Sequence, residues 1–280
     1  MNRIKLIAID VDHTLLTEQG ELPPRFFEYV RVLDELGINC AISSGRPLYT
    51  LNEMFSEVWG QMSFVCDNGG LIIHRGKTIF ESLIHPEQVR MLARFAEEKG
   101  EGVPLLCATD AAYLLKKHQV HQDYLRRFYS NIICVDAESL ASVEANVDKF
   151  TVYYPNKNCH PSFYSWYAPT FGSDFAVALC DTSWIDIMNK GVDKGAAMRI
   201  LGEVVGASSE QMMAFGDSYN DIPMLEMVKY SYVMKNAVED MRQYAHFLAE
   251  SNDDYGVLKV FDEVIALSRG SKEIFKTNGV

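Results

Sequence analysis

Short apolar runs that stop abruptly at polar turns alternate with longer segments whose apolar residues recur every three or four positions. Ile4–Ile9 is one such run, rich in β-branched residues and stopped by Asp10. It reads as a buried parallel strand that delivers Asp10 at its C-terminal tip. From Pro23 the positions Phe26, Val30, Leu33 and Leu36 keep helical spacing, and Gly37 marks the C-terminal stop. Ile38–Ile42 predicts a second strand, Ser43 to Pro47 a turn into a helix through about Trp59, and Phe64–Cys66 a third strand before the tight turn Asp67-Asn68-Gly69-Gly70. This βαβαβ order predicts an α/β fold: a doubly wound, mostly parallel sheet with helices on both faces and a ligand site beyond the strand C-termini at a switch point.

The pattern changes after Ser82. Candidate strands Pro104–Cys107, Ala112–Lys116, Phe150–Tyr154, Phe175–Cys180 and Trp184–Met188 interleave with helices near Glu87–Lys99, Glu138–Val147 and Ser162–Tyr167, which describes an α+β insert. Doubly wound order returns with a helix at Lys194–Val205, a strand at Met212–Phe215, a helix at Ile222–Met227, a strand at Ser231–Met234 and a closing helix from Val257. The expected organisation is a discontinuous Rossmann-like core, residues 1–82 and 189–280, carrying an inserted domain at 83–188. Hinges are expected near Ser82–Pro86 and Asn189–Asp193.

Composition narrows the function. The 280 residues are 48% hydrophobic and carry 26 Lys and Arg against 38 Asp and Glu, a net charge of −12. A chain this acidic lacks the basic face that nucleic acid requires, so an anionic substrate must find a local cationic pocket. Cys40, Cys66, Cys107, Cys134, Cys159 and Cys180 are scattered without a CxxC and read as reduced core thiols. The apolar run at Leu6–Ile9 is far too short for a signal-peptide core or a spanning helix, so no membrane association is expected and a cytoplasmic location is. A monomer is the default expectation.

The chemistry sits where predicted strands end. Asp10-Val11-Asp12-His13-Thr14 places two carboxylates two residues apart in a turn, an arrangement that repels itself unless a cation or hydrogen bonds offset it. Hard oxygen donors of this kind suit magnesium. Gly216-Asp217-Ser218-Tyr219-Asn220-Asp221 follows a second apolar strand and emerges on the same sheet edge. Ser44-Gly45-Arg46 opens a helix whose free N–H groups and hydroxyl suit a phosphoryl oxygen. Lys194 stands at a helix start, where the helix dipole opposes a cation, which hints at an anionic partner.

Taken in chain order, these four motifs resemble the haloacid dehalogenase superfamily of phosphohydrolases, and within it the Cof-type hydrolases with a type IIB cap. The match runs from Ile4 to about Leu267, with Asp67-Asn68-Gly69 and Asn236-Ala237 as secondary signatures. One departure is His13, where the family usually has glycine; the turn is expected to be tight there or compensated locally, with the imidazole on phosphate or toward solvent.

The resemblance implies that Asp10 is a nucleophile forming an aspartyl-phosphate and that Asp12 is the general acid and base. It implies magnesium on the Asp10 carboxylate, the Asp12 backbone carbonyl and Asp217, with Asp221 acting through water or hydrogen bonds behind the ion. Thr14, Ser44, Gly45, Arg46, Lys194 and Asn220 are the expected substrate-binding residues, Lys194 also serving catalysis. The insert would be a cap that reads the leaving alcohol. Its basic stretch Lys116, Lys117, His118, His121, Arg126 and Arg127 is expected to be a solvated face, and Tyr153, Tyr154, Trp166 and Trp184 cap core. The implied activity is hydrolysis of a small phosphorylated metabolite, a sugar phosphate or a phosphorylated cofactor such as pyridoxal phosphate or flavin mononucleotide. A phosphomutase using the same intermediate remains the near alternative, and a phospho-receiver or binding protein without turnover the distant one.

Overall fold

The computed structural model describes residues 4–270. The chain begins β1 (Leu6–Ile9), α1 (Phe26–Glu35), β2 (Asn39–Ser43), α2 (Leu48–Met54), β3 (Ser63–Cys66), β4 (Leu71–His74) and β5 (Lys77–Glu81). It continues through α3 (Pro86–Lys99), β6 (Val103–Ala108), β7 (Ala112–Leu115), α4 (Gln122–Leu125), β8 (Ile132–Val135), β9 (Val147–Tyr153), α5 (His160–Ser162), α6 (Ala168–Phe171), β10 (Phe175–Leu179) and β11 (Trp184–Asn189). It closes with α7 (Lys194–Val205), β12 (Met212–Gly216), α8 (Ile222–Met227), β13 (Tyr230–Met234), β14 (Phe247–Ala249) and α9 (Gly256–Ser268).

Two sheets result. The eight-stranded sheet has the order β14-β13-β12-β1-β2-β3-β4-β5, parallel from β14 to β3 and antiparallel beyond. Every residue of β1 is buried, which is why its sequence is apolar throughout instead of alternating. Its side chains still diverge with a period of two. Ile7 and Ile9 join the core with Phe26, Leu51 and Phe261, whereas Leu6 and Ala8 pack on the other face with Met198, Leu201 and Leu225. The expected doubly wound layer structure is therefore observed, and β1 against β12 is its switch point. There the chain order reverses, leaving the C-terminal ends of β12, β1, β2 and β3 side by side.

The six-stranded sheet, β10-β11-β9-β6-β7-β8, comes entirely from the segment between β5 and α7. One face packs Phe150, Val152, Ile185 and Ile187 against Leu92 and Ala96 of α3 and Tyr167 and Phe171. The other carries Leu105, Leu114, Tyr129, Tyr153 and Trp184. The two chain crossings between the sheets run together, since the Asn189 amide donates to Ser82 Oγ at 3.0 Å and to the Leu83 carbonyl at 2.8 Å.

Several local expectations need correction. The helix expected at Glu138–Val147 is one 3₁₀ turn at Leu140–Ser142, and Val147 already begins β9. Ser139 caps that turn through the Ala141 N–H, and the β-branched Val143 returns to extended backbone before a second turn can form. The helix expected through Trp59 stops at Met54 and continues only as a 3₁₀ turn. The β4–β5 hairpin, β8 and β14 were not anticipated. These are short strands, of four, five, four and three residues, all with partly exposed positions that blur the apolar signal.

Candidate active site

Because β12, β1 and β2 are adjacent and parallel, the residues that follow them meet at one edge. Asp10 leaves β1 while its N–H still donates to the Phe215 carbonyl at 3.0 Å, so the first carboxylate is fixed by the sheet itself. Lys194 enters from α7, whose start is set by Asp193 capping the Ala196 N–H at 2.7 Å. Its ammonium is wholly buried and lies 2.6 Å from Asp10 Oδ1 and 2.6 Å from Asp221 Oδ1. The second oxygen of Asp221 accepts the N–H groups of Asp217 and Ser218 at 2.9 and 3.1 Å. Asp221 thus braces both the lysine and the turn that carries Asp217. That turn leaves no room for a side chain at Gly216, where a Cβ would fall 2.5 Å from Asp221 Cβ. Gly216→Ala is expected to displace Asp221, to cost about 1–3 kcal/mol of stability and to slow turnover up to roughly 10²-fold. Denaturation midpoints and kcat read the two effects.

Asp10, Asp217 and Asp221 each offer a carboxylate oxygen within 4.8 Å of the others. Burial, the nearby Asp221 carboxylate and Asp12 push the Asp10 carboxyl up to about 7 against the pull of Lys194. Burial and then the neighbouring carboxylates raise Asp217 well above the usual range. One lysine does not balance three clustered acids, two of them buried, and hard oxygens this close fit a divalent cation. Thr14 Oγ1 donates to Asp217 Oδ1 at 2.8 Å and orients it. In the metal-free protein Asp10 binds a proton between about pH 4 and 7 that the unfolded chain has already released. Stability from it is present below about pH 4 and lost as the pH rises through 7. Melting in chelator across this range should show that loss, and Asp10→Asn should shrink it.

Asp12 lies outside the carboxylate trio. Arg46 grips it with two bonds, Nε to Oδ2 at 2.9 Å and Nη2 to Oδ1 at 2.7 Å. Arg46 also donates to the Arg127 carbonyl at 2.8 Å and lies over the Phe128 ring, so its guanidinium bridges the turn after β1 and the segment after α4 instead of standing free for a substrate. Ser44 is buried at the end of β2, with its oxygen accepting the Arg46 N–H at 3.1 Å. Asn220 donates to Asn68 Oδ1 at 3.0 Å.

His13 takes a left-handed backbone, φ 59°, the conformation for which glycine is ordinarily selected. Local contacts compensate: Asn236 donates to the His13 carbonyl at 2.7 Å, and the ring pairs with Glu18 at 3.0 Å in solvent. Burial is the strongest single influence and lowers the imidazole pKa, but the Glu18 bond and the charges of Glu18, Asp12 and Asp10 together outweigh it and the net shift is upward.

A cavity of about 620 Å³ opens above this edge. Asp10, Asp12, Ser44, Gly45, Arg46, Asp217 and Asn220 line its floor, and Tyr124, Arg127, Phe128, Asp181 and Trp184 its opposite wall. Of the basic stretch, Arg127 reaches this wall. Tyr124 and Phe128 went unremarked in the sequence because their segment has no strong periodicity. Trp184 packs on Tyr153 at 4.6 Å between ring centres and also lines the cavity.

The model of the haloacid dehalogenase-like hydrolases matches residues 7–261. The chain belongs to that family. It is 28% identical over 264 residues to the 5-amino-6-(5-phospho-D-ribitylamino)uracil phosphatase YbjI of Escherichia coli (strain K12), covering 94% of this chain and 96% of that protein. The solved structure of SMU.1108c from Streptococcus mutans UA159 superposes with a TM-score of 0.86 at 29% identity over 94% of this chain and 99% of the other. The subclass IIB sugar phosphatase BT4131 shares the fold, with a TM-score of 0.77 at 23% identity over 92% and 98%. This haloacid dehalogenase-like hydrolase is thus an enzyme by family, and among its described residues no helix is long and apolar enough to cross a membrane.

Proposed function

We propose that this hydrolase is a magnesium-dependent phosphatase of small phosphorylated metabolites, acting through a phosphate ester of Asp10. The observation that carries the reading is the juxtaposition of Asp10 with Lys194, Asp217 and Ser44 at one sheet edge beneath the cavity. Asp10 is the nucleophile, aimed by its sheet-bound backbone and by Lys194. Asp12, held by Arg46, protonates the leaving alkoxide and then takes a proton from the attacking water. The Ser44 hydroxyl, the Gly45 backbone and Lys194 hold phosphoryl oxygens. Asp10, Asp217 and the Asp12 backbone carbonyl would hold magnesium, which when bound neutralises the nucleophile and the transferred phosphoryl group. Asp221, with both oxygens already engaged, would act behind the ion.

Residues 1–82 and 189–280 are then the catalytic core and 83–188 the cap. The aromatic wall of Tyr124, Phe128 and Trp184 favours a leaving group with a flat or apolar face, which suits the substrate in the name of the Escherichia coli relative as well as flavin or pyridoxal phosphates. The protein is read as a monomer by default, and all six cysteines are free, consistent with a reducing cytoplasm.

The test is phosphate release from sugar phosphates, phosphoribitylaminouracil, pyridoxal phosphate, flavin mononucleotide and nucleotides, with magnesium and with chelator. Magnesium-dependent multiple turnover is expected, fastest with a ring-bearing alcohol. An isomerised ester without phosphate release would identify a mutase instead, and no reaction of either kind would remove the reading.

A further inference from the structure

Behind the phosphate loop lies a second charged cluster that the mechanism above does not use. Lys149, on β9, is 1% exposed. Its ammonium donates to the Gly45 carbonyl at 2.5 Å and lies 3.2 Å from Asp67 Oδ1 and 3.4 Å from Asp186 Oδ2. The Asp186 carboxylate and the Asp67 backbone are themselves fixed. Asp186 accepts Thr151 Oγ1 at 2.6 Å and the Asn68 amide at 2.7 Å, and Asp67 gives its N–H to the Arg46 carbonyl at 3.0 Å. A lysine this deep, brought from the six-stranded sheet to a backbone carbonyl in the turn after β2, has a specific target.

We propose that Lys149 is a positioning residue for Ser44, acting through the Gly45–Arg46 peptide. The carbonyl and N–H of a trans peptide point in opposite directions, so anchoring the Gly45 oxygen aims the Arg46 N–H the other way. That N–H donates to Ser44 Oγ at 3.1 Å. A cation on the carbonyl polarises the peptide and strengthens this bond. With its oxygen accepting from behind, the Ser44 hydroxyl directs its own proton toward the cavity that it lines, where a phosphoryl oxygen is received. The cap domain thereby contributes to phosphate recognition without touching the phosphate.

This inference rests on the reading of Ser44 as a phosphoryl ligand, and a double-mutant cycle separates the two. Ser44→Ala, Lys149→Met and the pair are assayed for phosphate release and for inhibition by inorganic phosphate, with folding checked by circular dichroism. Ser44→Ala should reduce kcat/KM by roughly 10²-fold, and Lys149→Met by roughly tenfold, with matching loss of phosphate inhibition. In the Ser44→Ala background, Lys149→Met should change either quantity by less than about twofold.

Factors that simply multiply would overturn the proposal, as would a folded Lys149→Met enzyme with full activity. If Lys149→Met does not fold, Lys149→Gln keeps a neutral donor. Ser44→Ala should then cost that enzyme clearly less than it costs the parent, and an equal cost overturns the proposal. A parent enzyme that turns over but is indifferent to Ser44→Ala would instead refute the role of Ser44 on which the inference stands.

Discussion

Asp10→Asn should abolish turnover, by roughly 10⁴-fold or more, while making the metal-free protein no less stable. The two halves of this expectation come from the same geometry. In the proposed mechanism the Asp10 oxygen is the attacking atom, and an amide in its place is neither nucleophilic nor able to carry phosphate. The carboxylate is also a liability in the fold, since burial and Asp221 oppose its charge and raise its pKa to about 7. Removing that charge relieves the repulsion, and Lys194 keeps its 2.6 Å partner at Asp221. Sites that store unfavourable charge for chemistry commonly gain stability when disarmed. The control is Asp12→Asn, which should slow turnover yet leave Asp10 competent, so that acid quenching traps a phosphoenzyme sensitive to hydroxylamine. Asp10→Asn should yield none. Near-normal turnover in Asp10→Asn would end the covalent mechanism.

The legible parts of this protein are those where one physical cause dominates. β1 reads as a strand because both its faces are buried, and Asp10 follows because the sheet ends there. The helix at Lys194 is announced by its Asp193 cap, and the pairing of its ammonium with Asp10 and Asp221 follows from the parallel adjacency of β1 and β12. What the sequence conceals is tertiary. Nothing in Ser-Gly-Arg-Pro says that Arg46 grips Asp12 and a carbonyl 81 residues away, because that bond depends on where the second sheet docks. Lys149 is hidden for the same reason: in a strand that also carries Asp148 and Thr151 it looks like a surface position until Asp67 and Asp186 are brought to it. His13 is an intermediate case. Its departure from glycine was visible, and its tolerance of a positive φ needed Asn236 and Glu18, which only the fold supplies.

Lys194→Met should be the most destabilising substitution at the site. The ammonium is buried between Asp10 and Asp221, and these two carboxylates drive its pKa upward against the burial that lowers it. Methionine keeps the length of the side chain and removes its charge, leaving Asp10, Asp217 and Asp221 together without a cation. Breaking a buried pair in this way costs about 3–5 kcal/mol, which for a chain of this size lowers the melting midpoint by about 10 °C. The loss should be larger in chelator above pH 7, where the Asp10 carboxyl is ionised, and smaller in acid, where it takes up a proton. Magnesium should restore more stability to Lys194→Met than to the parent, because the ion is then the sole cation facing three carboxylates, and its tighter binding adds to stability through mass action. Turnover should stay lost despite this rescue, since a metal on the acids does not replace the ammonium that the proposed mechanism places on the phosphoryl oxygen. A Lys194→Met protein that melts like the parent in chelator would show that the three acids are already neutral without the lysine, and the charge balance on which the site's assignment depends would have to be redrawn.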